Sequence, residues 1–328
     1  MSLPIPMSRG PLPTRLALPS ALLFLIAAAG RVPAADLPEY APVPGVGGDL
    51  SSVGSDTLNN LMVYWGEAFG RHYPNVRFGV EGKGSGTAPP ALAQGVSQLA
   101  PMSRPMTAAE RESIEKARGA PPLEIAVAVD CVAVYVHKDN PIRGLTLPQA
   151  DALFSATRLR GEPEASTWGA LGLEGAWGAR PVSLYGRNAA SGTYAFFKEA
   201  VLLKGDYKDT VKEQPGSAAA VDGVAGDLGG VGYSGIGYRT SGVRALPLAE
   251  KAGAPFVEPT FENALDGSYP LGRSLLVYVA RVPGQPLEPA VREFLAFVLS
   301  AEGQAIVVKD GYGALPAEVA LEQLAALD

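Results

Sequence analysis

Three short segments of the chain combine glycine with small hydroxyl side chains: GSDTL at 54–58, GSGTA at 84–88 and RNAASGT at 187–193. Helical patterns follow the first and the third. A helix begins with unpaired backbone N–H groups and a partial positive charge, so its first turn favours anions. Glycine lets the backbone approach a ligand, and serine and threonine hydroxyls add hydrogen-bond donors. Each segment alone is more typical of ordinary helix capping, but together they predict a site for a tetrahedral oxyanion.

A cation accompanies the third segment. Arg187 stands four residues before Ser191, at the end of a predicted strand. From that position its guanidinium can reach the start of the following helix and hold an oxyanion through two parallel N–H bonds. The spacing therefore favours anion binding over capping alone.

Hydrophobic patterns predict the elements that position these segments. The predicted strands cover 49–54, 75–82, 125–138, 182–186 and 273–280, and 230–238 is either a strand pair or a strand and a turn. The predicted helices cover 58–73, 91–99, 145–154, 194–203 and 217–227, with two more inside 289–308. Thr146 suits the N-cap of its helix, and Leu58, Leu61, Met62 and Trp65 share one face of theirs. Strands that alternate with helices predict an α/β protein, with helices covering mostly parallel sheets.

The N-terminus has the pattern of a signal peptide at 1–34. Two arginines, Arg9 and Arg15, precede the apolar run 16–30, and small residues allow cleavage after Ala34 or Ala35. The run is short for a membrane span, which needs about 20 residues; a retained anchor is the alternative. No cysteine lies directly after the run, which excludes lipid attachment there. Cleavage removes three arginines and no acidic residue, so the net charge of −6 becomes −9. We expect a soluble periplasmic or secreted protein.

Composition narrows the function classes. The acidic balance disfavours a nucleic-acid partner. A single cysteine, Cys131, cannot form an internal disulfide, and two histidines leave little for a metal cluster. Neither a G-x-S-x-G hydrolase motif nor a P-loop is present. We therefore expect no cofactor and no metal.

Taken in order, the segments resemble a known family. The resemblance runs from about residue 49 to residue 316 and rests on these segments: VGSDTL, EGKGSGT, MSRPM at 102–106, VAVYVHKDNP, TWGALG, GRNAASGTYAFF, GVGYSGIGY and EGQAIVVKDGYGALP. The chain resembles the substrate-binding proteins of bacterial phosphate ABC importers, the PstS-like family.

That resemblance implies a type II periplasmic-binding-protein fold. Such a fold has two α/β lobes, joined by two crossing strands, with a ligand cleft between them. The implied division is 35–126 plus 274–328 for lobe 1 and 127–273 for lobe 2. The strand at 125–138 crosses to lobe 2, and the strand at 273–280 crosses back.

The family's phosphate site transfers to this sequence by residue type. It falls on Ser55, Asp56, Thr57, Ser85, Gly86, Thr87, Ser103, Arg104, Arg187, Ser191, Gly192 and Thr193. One position departs from the family pattern. Well-known members have an aspartate after the serine that matches Ser103, and it accepts the proton of bound phosphate. Here Arg104 follows, and it either adds positive charge to the cleft or pairs with a nearby carboxylate. We expect Asp56 to be the proton acceptor, with helix capping as its alternative role.

The resemblance implies a non-enzymatic receptor. The protein captures inorganic phosphate and delivers it to an ABC permease in the inner membrane, and we expect it to act as a monomer. Two alternatives stay open: a receptor for another tetrahedral oxyanion, such as sulfate, molybdate or arsenate, and a secreted phosphatase on the same scaffold.

Overall fold

The computed structural model describes residues 37–328, and the predicted signal peptide lies outside them. The strands are β1 (Gly48–Gly54), β2 (Val76–Gly82), β3 (Ala100–Met102), β4 (Leu123–His137), β5 (Leu145–Thr146), β6 (Ser183–Arg187), β7 (Lys212–Gln214), β8 (Gly230–Gly235), β9 (Val243–Ala245), β10 (Leu248–Ala249) and β11 (Gly272–Val279). The helices are α1 (Asn59–His72), α2 (Ala88–Gln94), α3 (Ala108–Arg118), α4 (Leu147–Phe154), α5 (Gly175–Gly178), α6 (Gly192–Ala200), α7 (Ser217–Ala225), α8 (Phe261–Leu265), α9 (Pro289–Val298), α10 (Ala301–Lys309) and α11 (Ala317–Ala325).

Strand pairing is mixed, so the prediction of mostly parallel sheets is wrong. The central sheet has the order β3-β11-β4-β8-β6-β7, with β9 also beside β4. β4 runs antiparallel to both β11 and β8, whereas β6 is parallel to β7 and β8. A separate parallel pair joins β1 to β2. The two long strands account for the antiparallel part, because the chain passes along β4 in one direction and returns along β11.

Most of the predicted elements are confirmed. Leu58, Leu61, Met62 and Trp65 are all fully buried at the start of α1 and on its inner face. Thr146 is the N-cap of α4, and its hydroxyl accepts a hydrogen bond from the N–H of Gln149 at 3.2 Å.

Two predicted helices have different bounds in the structure. The helix expected over 91–99 begins earlier, at Ala88, and ends at Gln94, because Gly95 adopts a left-handed conformation with φ of 72°. α6 ends at Ala200, sooner than the apolar pattern to 203 predicts.

The buried side chains form two main cores. The first core draws on residues between 37 and 129 and between 275 and 327, and the second draws on residues between 131 and 271. We call the parts of the chain around them lobe 1 and lobe 2. β4 supplies both cores, since Val129 packs in the first and Cys131 in the second. The return strand does the same, with Leu271 just before β11 in the second core and Leu275 in the first. β4 and β11 are therefore the two crossing strands.

Within residues 37–328, no helix has the length and apolar character needed to cross a membrane.

Candidate functional site

The third hydroxyl segment is a strand-to-helix turn. Arg187 is the last residue of β6, and Ser191 is the N-cap of α6. The Ser191 hydroxyl accepts hydrogen bonds from the N–H groups of Thr193 at 3.2 Å and Tyr194 at 3.3 Å. Capping is thus a real role of Ser191, and it fixes the direction in which the first turn of α6 points.

Gly192 is pressed against lobe 1. A β-carbon at Gly192 would overlap the hydroxyl oxygens of Ser85 and Ser103, so only glycine fits there. All three residues are fully or almost fully buried. The start of α6 therefore meets the hydroxyl groups of lobe 1 at direct contact.

The second segment forms a short 3₁₀ turn at Ser85–Thr87. Ser103 donates its N–H to the Ser85 hydroxyl at 3.0 Å, and the two hydroxyl oxygens lie 3.3 Å apart. Gly86 donates its N–H to the carbonyl of Ala190 at 2.9 Å, across the cleft. The Thr87 hydroxyl donates to the Gly84 carbonyl at 2.8 Å, so its proton is used inside its own turn.

The first segment lies between β1 and α1. Ser55 and Thr57 are buried, and the Thr57 hydroxyl lies 3.1 Å from the hydroxyl of Thr193 in lobe 2. Tyr238 donates its hydroxyl to the carbonyl of Asp56 at 3.0 Å, and Tyr312 donates to the carbonyl of Thr57 at 2.9 Å. The hydroxyl groups of the two tyrosines thereby fix the backbone of the turn.

Arg187 is the cation at the centre of this arrangement, with only 1% of its surface exposed. Its Nη1 donates to the Ser217 hydroxyl at 2.6 Å, and its Nη2 lies 3.1 Å from Oδ2 of Asp56. Its Nε is buried and has no hydrogen-bond partner among the described residues. Burial lowers the pKa of Arg187, and the nearby Asp56 carboxylate opposes that shift. Because a buried unpaired donor is costly, the Nε group marks a place where an acceptor belongs.

Asp56 lies in lobe 1 but faces lobe 2. Besides the ion pair with Arg187, its Oδ2 accepts the N–H of Ser217, the first residue of α7, at 2.8 Å. Its Oδ1 accepts no hydrogen bond from the described residues and lies beside Gly216. Asp56 does not cap its own helix, because the residue at the N-cap of α1 is Leu58 and no side chain caps there.

Arg104 pairs with a carboxylate. Its two terminal nitrogens donate to the two carboxylate oxygens of Glu110 at 2.8 and 2.7 Å, and Nη1 also donates to the Pro105 carbonyl. Burial works to raise the pKa of Glu110, but hydrogen bonds from Arg104 and Thr107 hold it below its usual range. Of the two roles left open for Arg104, the geometry favours structural pairing at the start of α3.

Sequence reasoning missed a second buried cation at the site. Arg273 on β11 donates from Nε and Nη2 to Oδ2 of Asp130 on β4, at 2.9 and 2.7 Å. It also donates to the Ser103 carbonyl and the Thr193 hydroxyl. The signal was an aspartate in the middle of an apolar strand, since charges are almost never fully buried unless paired. Ser217 was missed because nothing in its local sequence distinguishes it, and Tyr238 was missed because the segment GVGYSGIGY does not show which of its residues reaches the site.

Most of the predicted residues therefore meet at one cleft, where Ser85, Ser103, Thr57 and Asp56 of lobe 1 face Arg187, Gly192 and Thr193 of lobe 2. The side chains of Thr87 and Arg104 are engaged elsewhere. Within the described range, no group of three or more histidine, cysteine, aspartate or glutamate side chains is placed to hold a metal ion. A separate groove of about 440 Å³, between the arm at 38–43 and helices α9 and α11, includes none of the predicted site residues.

The fold has two α/β lobes and two crossing strands, and its cleft is lined by hydroxyl groups, helix starts and a buried arginine. These features define the class of substrate-binding proteins with type II periplasmic architecture. A family model of the PBP superfamily domain matches residues 40–302, and the chain belongs to this superfamily, among its PstS-like members.

Relatives cover nearly the whole chain. Phosphate-binding protein PstS of Pseudomonas aeruginosa is 54% identical over 307 residues, which span 92% of this chain and 95% of that protein. Protein SphX of Synechococcus elongatus is 28% identical over 273 residues, or 82% of this chain and 78% of that protein.

Solved structures share the fold. A protein of Clostridium perfringens, assigned as a phosphate ABC transporter substrate-binding protein and crystallised with bound phosphate, has a TM-score of 0.69 at 26% identity and covers 82% of this chain and 100% of its own. An ABC-type phosphate transport receptor of Vibrio cholerae has a TM-score of 0.63 at 23% identity, with 81% of this chain and 100% of its own covered.

Proposed function

We propose that the protein captures inorganic phosphate in the cleft between its lobes and delivers it to the permease of an ABC importer. The observation that carries this proposal is the buried Arg187 guanidinium, whose Nε lacks an acceptor among residues 37–328, in a cleft of hydroxyl and N–H donors. A relative named phosphate-binding protein at 54% identity supports the choice of anion.

Capture works by closure of the lobes. The donors come from both sides of the cleft, with Ser85 and Ser103 in lobe 1 and Arg187 and Thr193 in lobe 2. An anion that contacts both lobes only when they are together stabilises the closed form. Charge-assisted hydrogen bonds in a dry cleft then hold it. We propose that the moving bodies are residues 35–126 plus 274–328 and residues 127–273.

Asp56 is the proposed source of selectivity. A carboxylate accepts hydrogen bonds and cannot donate them when ionised. Its Oδ2 is occupied by Arg187 and Ser217, so Oδ1 is the oxygen that can accept the proton of a protonated phosphate. Sulfate carries no proton at neutral pH, and the same oxygen repels it. Asp56 would then accept the proton of phosphate in place of the aspartate that other family members have at the position of Arg104.

We propose a receptor role without a reaction, in the periplasm or outside the cell after cleavage near Ala34 or Ala35, and as a monomer. The named relatives are binding proteins, which supports the absence of catalysis. Assay of phosphate-ester hydrolysis by metal-supplemented protein tests it, and turnover that follows protein concentration through purification would replace the receptor with a phosphatase.

The deciding experiment is calorimetry on protein that lacks residues 1–34. The protein is unfolded, dialysed and refolded so that it enters the measurement without bound anion. Phosphate, sulfate, arsenate and molybdate are titrated in one buffer. We expect phosphate to bind most tightly at one site per chain, with arsenate next because it has the same shape and protonation. Tighter binding of sulfate or molybdate would assign the site to another oxyanion.

A further inference from the structure

The buried pair of Arg273 and Asp130 occupies the point where the chain passes between the two cores. The two residues are direct partners in the antiparallel ladder of the crossing strands. Asp130 is fully buried and Arg273 is 8% exposed. Their neighbours on either side pack in different cores, as Val129 and Cys131 do. The ion pair therefore lies at the junction of the lobes.

Arg273 uses this position to reach both walls of the cleft. Besides its two bonds to Asp130, its Nη1 donates to the Ser103 carbonyl at 2.8 Å and its Nη2 donates to the Thr193 hydroxyl at 3.0 Å. Ser103 belongs to lobe 1, and Thr193 is in the first turn of α6 in lobe 2. Asp130 makes a matching contact with lobe 2, since its Oδ1 accepts the N–H of Ile236 at 3.2 Å.

The bond to Thr193 has a direction. A guanidinium has only donors, whereas a threonine hydroxyl has one proton and two lone pairs. Because the Thr193 oxygen accepts from Arg273, its own proton must point to another acceptor. The candidates are the Thr57 hydroxyl oxygen, 3.1 Å away, and an oxygen of an anion in the cleft. Arg273 thus sets Thr193 as a donor on the cleft side.

We propose that Arg273 is a positioning residue that orients the Thr193 hydroxyl towards the bound anion and links capture of the anion to the junction of the lobes. The inference rests on the proposed function, because Thr193 matters only if the cleft binds an oxyanion. Asp130 holds the guanidinium in place, so the pair acts as one unit. An arginine that merely neutralised Asp130 would not need its bonds to Ser103 and Thr193.

The test is a double-mutant cycle read by phosphate calorimetry. Arg273→Met leaves a buried carboxylate alone and can prevent folding, so the cycle uses the neutral pair Arg273→Gln with Asp130→Asn. Its other side is Thr193→Val, which removes the hydroxyl at nearly constant volume. Thermal unfolding without ligand is recorded for every variant. The matched control is Arg244→Met, because Arg244 is a half-buried arginine of lobe 2 that donates to the carbonyls of Asn140 and Ile142 away from the cleft.

We expect the neutral pair and Thr193→Val each to weaken phosphate binding at least tenfold. The variant that combines all three substitutions should bind phosphate no more than about threefold less tightly than whichever of these two variants has the lower affinity. Such non-additivity is the mark of residues that act through one another. The control keeps the affinity of the parent. If the losses multiply, or if the neutral pair binds phosphate as the control does, Arg273 has no positioning role although the receptor function stands. If the parent protein itself fails to bind phosphate, the proposed function falls and this inference falls with it.

Discussion

Replacement of Asp56 by asparagine has two effects on anion binding: it removes a negative charge, and it removes a hydrogen-bond acceptor. The affinity for one anion alone would not distinguish them. The substitution keeps the shape of the side chain and retains an oxygen for the N–H of Ser217. It removes one negative charge beside Arg187, which favours any anion in the cleft. It also replaces an acceptor by an amide that can donate. The first effect is the same for two anions of equal charge, so it cancels in the ratio of their affinities.

The magnitude follows from the one hydrogen bond at stake. At pH 8 phosphate carries two negative charges and one proton, and sulfate carries two negative charges and none. A hydrogen bond to a charged group contributes about 1.5–3 kcal/mol. We therefore expect Asp56→Asn to lower the ratio of phosphate affinity to sulfate affinity by roughly 10- to 150-fold. Sulfate binding improves or first becomes measurable.

The assay is parallel calorimetric titration of both anions at pH 8, with unfolding temperatures as a check on the fold. Asp227→Asn is the matched control, because Asp227 is a partly buried aspartate of lobe 2 that accepts from Tyr185 and Gly229 outside the cleft. It makes the same change of net charge and should leave the ratio unaltered. An unchanged ratio in Asp56→Asn would show that another group recognises the proton of phosphate, even if phosphate is the ligand.

Three further results are expected. Arg187→Ala deletes the central guanidinium and should weaken phosphate binding by about 2–5 kcal/mol while the protein stays folded, as calorimetry and circular dichroism will show. Gly192→Ala places a methyl group on the hydroxyl oxygens of Ser85 and Ser103, so phosphate affinity should fall at least tenfold. Burial raises the pKa of Asp310 from 3.8 to about 6; the folded state then binds its proton more tightly, and stability falls as pH rises from about 4 through about 6. Relative to the parent, the free energy of unfolding of Asp310→Asn, measured with urea, should therefore increase by about 1–2 kcal/mol between pH 4 and pH 8, after allowance for solvent screening.

Each of these results has an outcome that contradicts it. If Arg187→Ala binds phosphate nearly as tightly as the parent, Arg187 is not part of the site. The match between 187–193 and the family's phosphate-binding segment would then be wrong. Unchanged binding in Gly192→Ala would show that the lobes do not meet as closely as the structure has them. A constant stability difference between Asp310→Asn and the parent across pH would mean that Asp310 titrates alike in the folded and unfolded chain.

Local features were readable from the sequence because their causes are local. Thr146 caps its helix through a residue three positions on, and the apolar run of β4 specifies a buried strand by itself. α3 was missed because it is charged on nearly every side and buries only Ile114. Its capping box of Thr107 and Glu110 was the available signal.

Long-range pairing was not readable. Residue type and periodicity do not reveal which strands are neighbours or in which direction they run, so the antiparallel pairing of β4 escaped prediction. Arg273 and Asp130 lie 143 positions apart, and neither sits in a motif. The resemblance to a family supplied the fold and the proposed site residues, but the partner of Arg104 depends on how α3 packs.

The contacts that join the lobes directly have a thermodynamic consequence of their own. The N–H of Gly86 meets the carbonyl of Ala190, and Tyr238 meets the carbonyl of Asp56, without any anion between them. Such bonds stabilise the closed conformation even when no anion is bound. An anion can enter only molecules that are open, so the fraction that is closed beforehand lowers its rate of association. The same bonds slow its escape once it is inside. In the proposed receptor, the strength of these direct contacts between the lobes therefore affects both how tightly an anion is held and how long it stays bound.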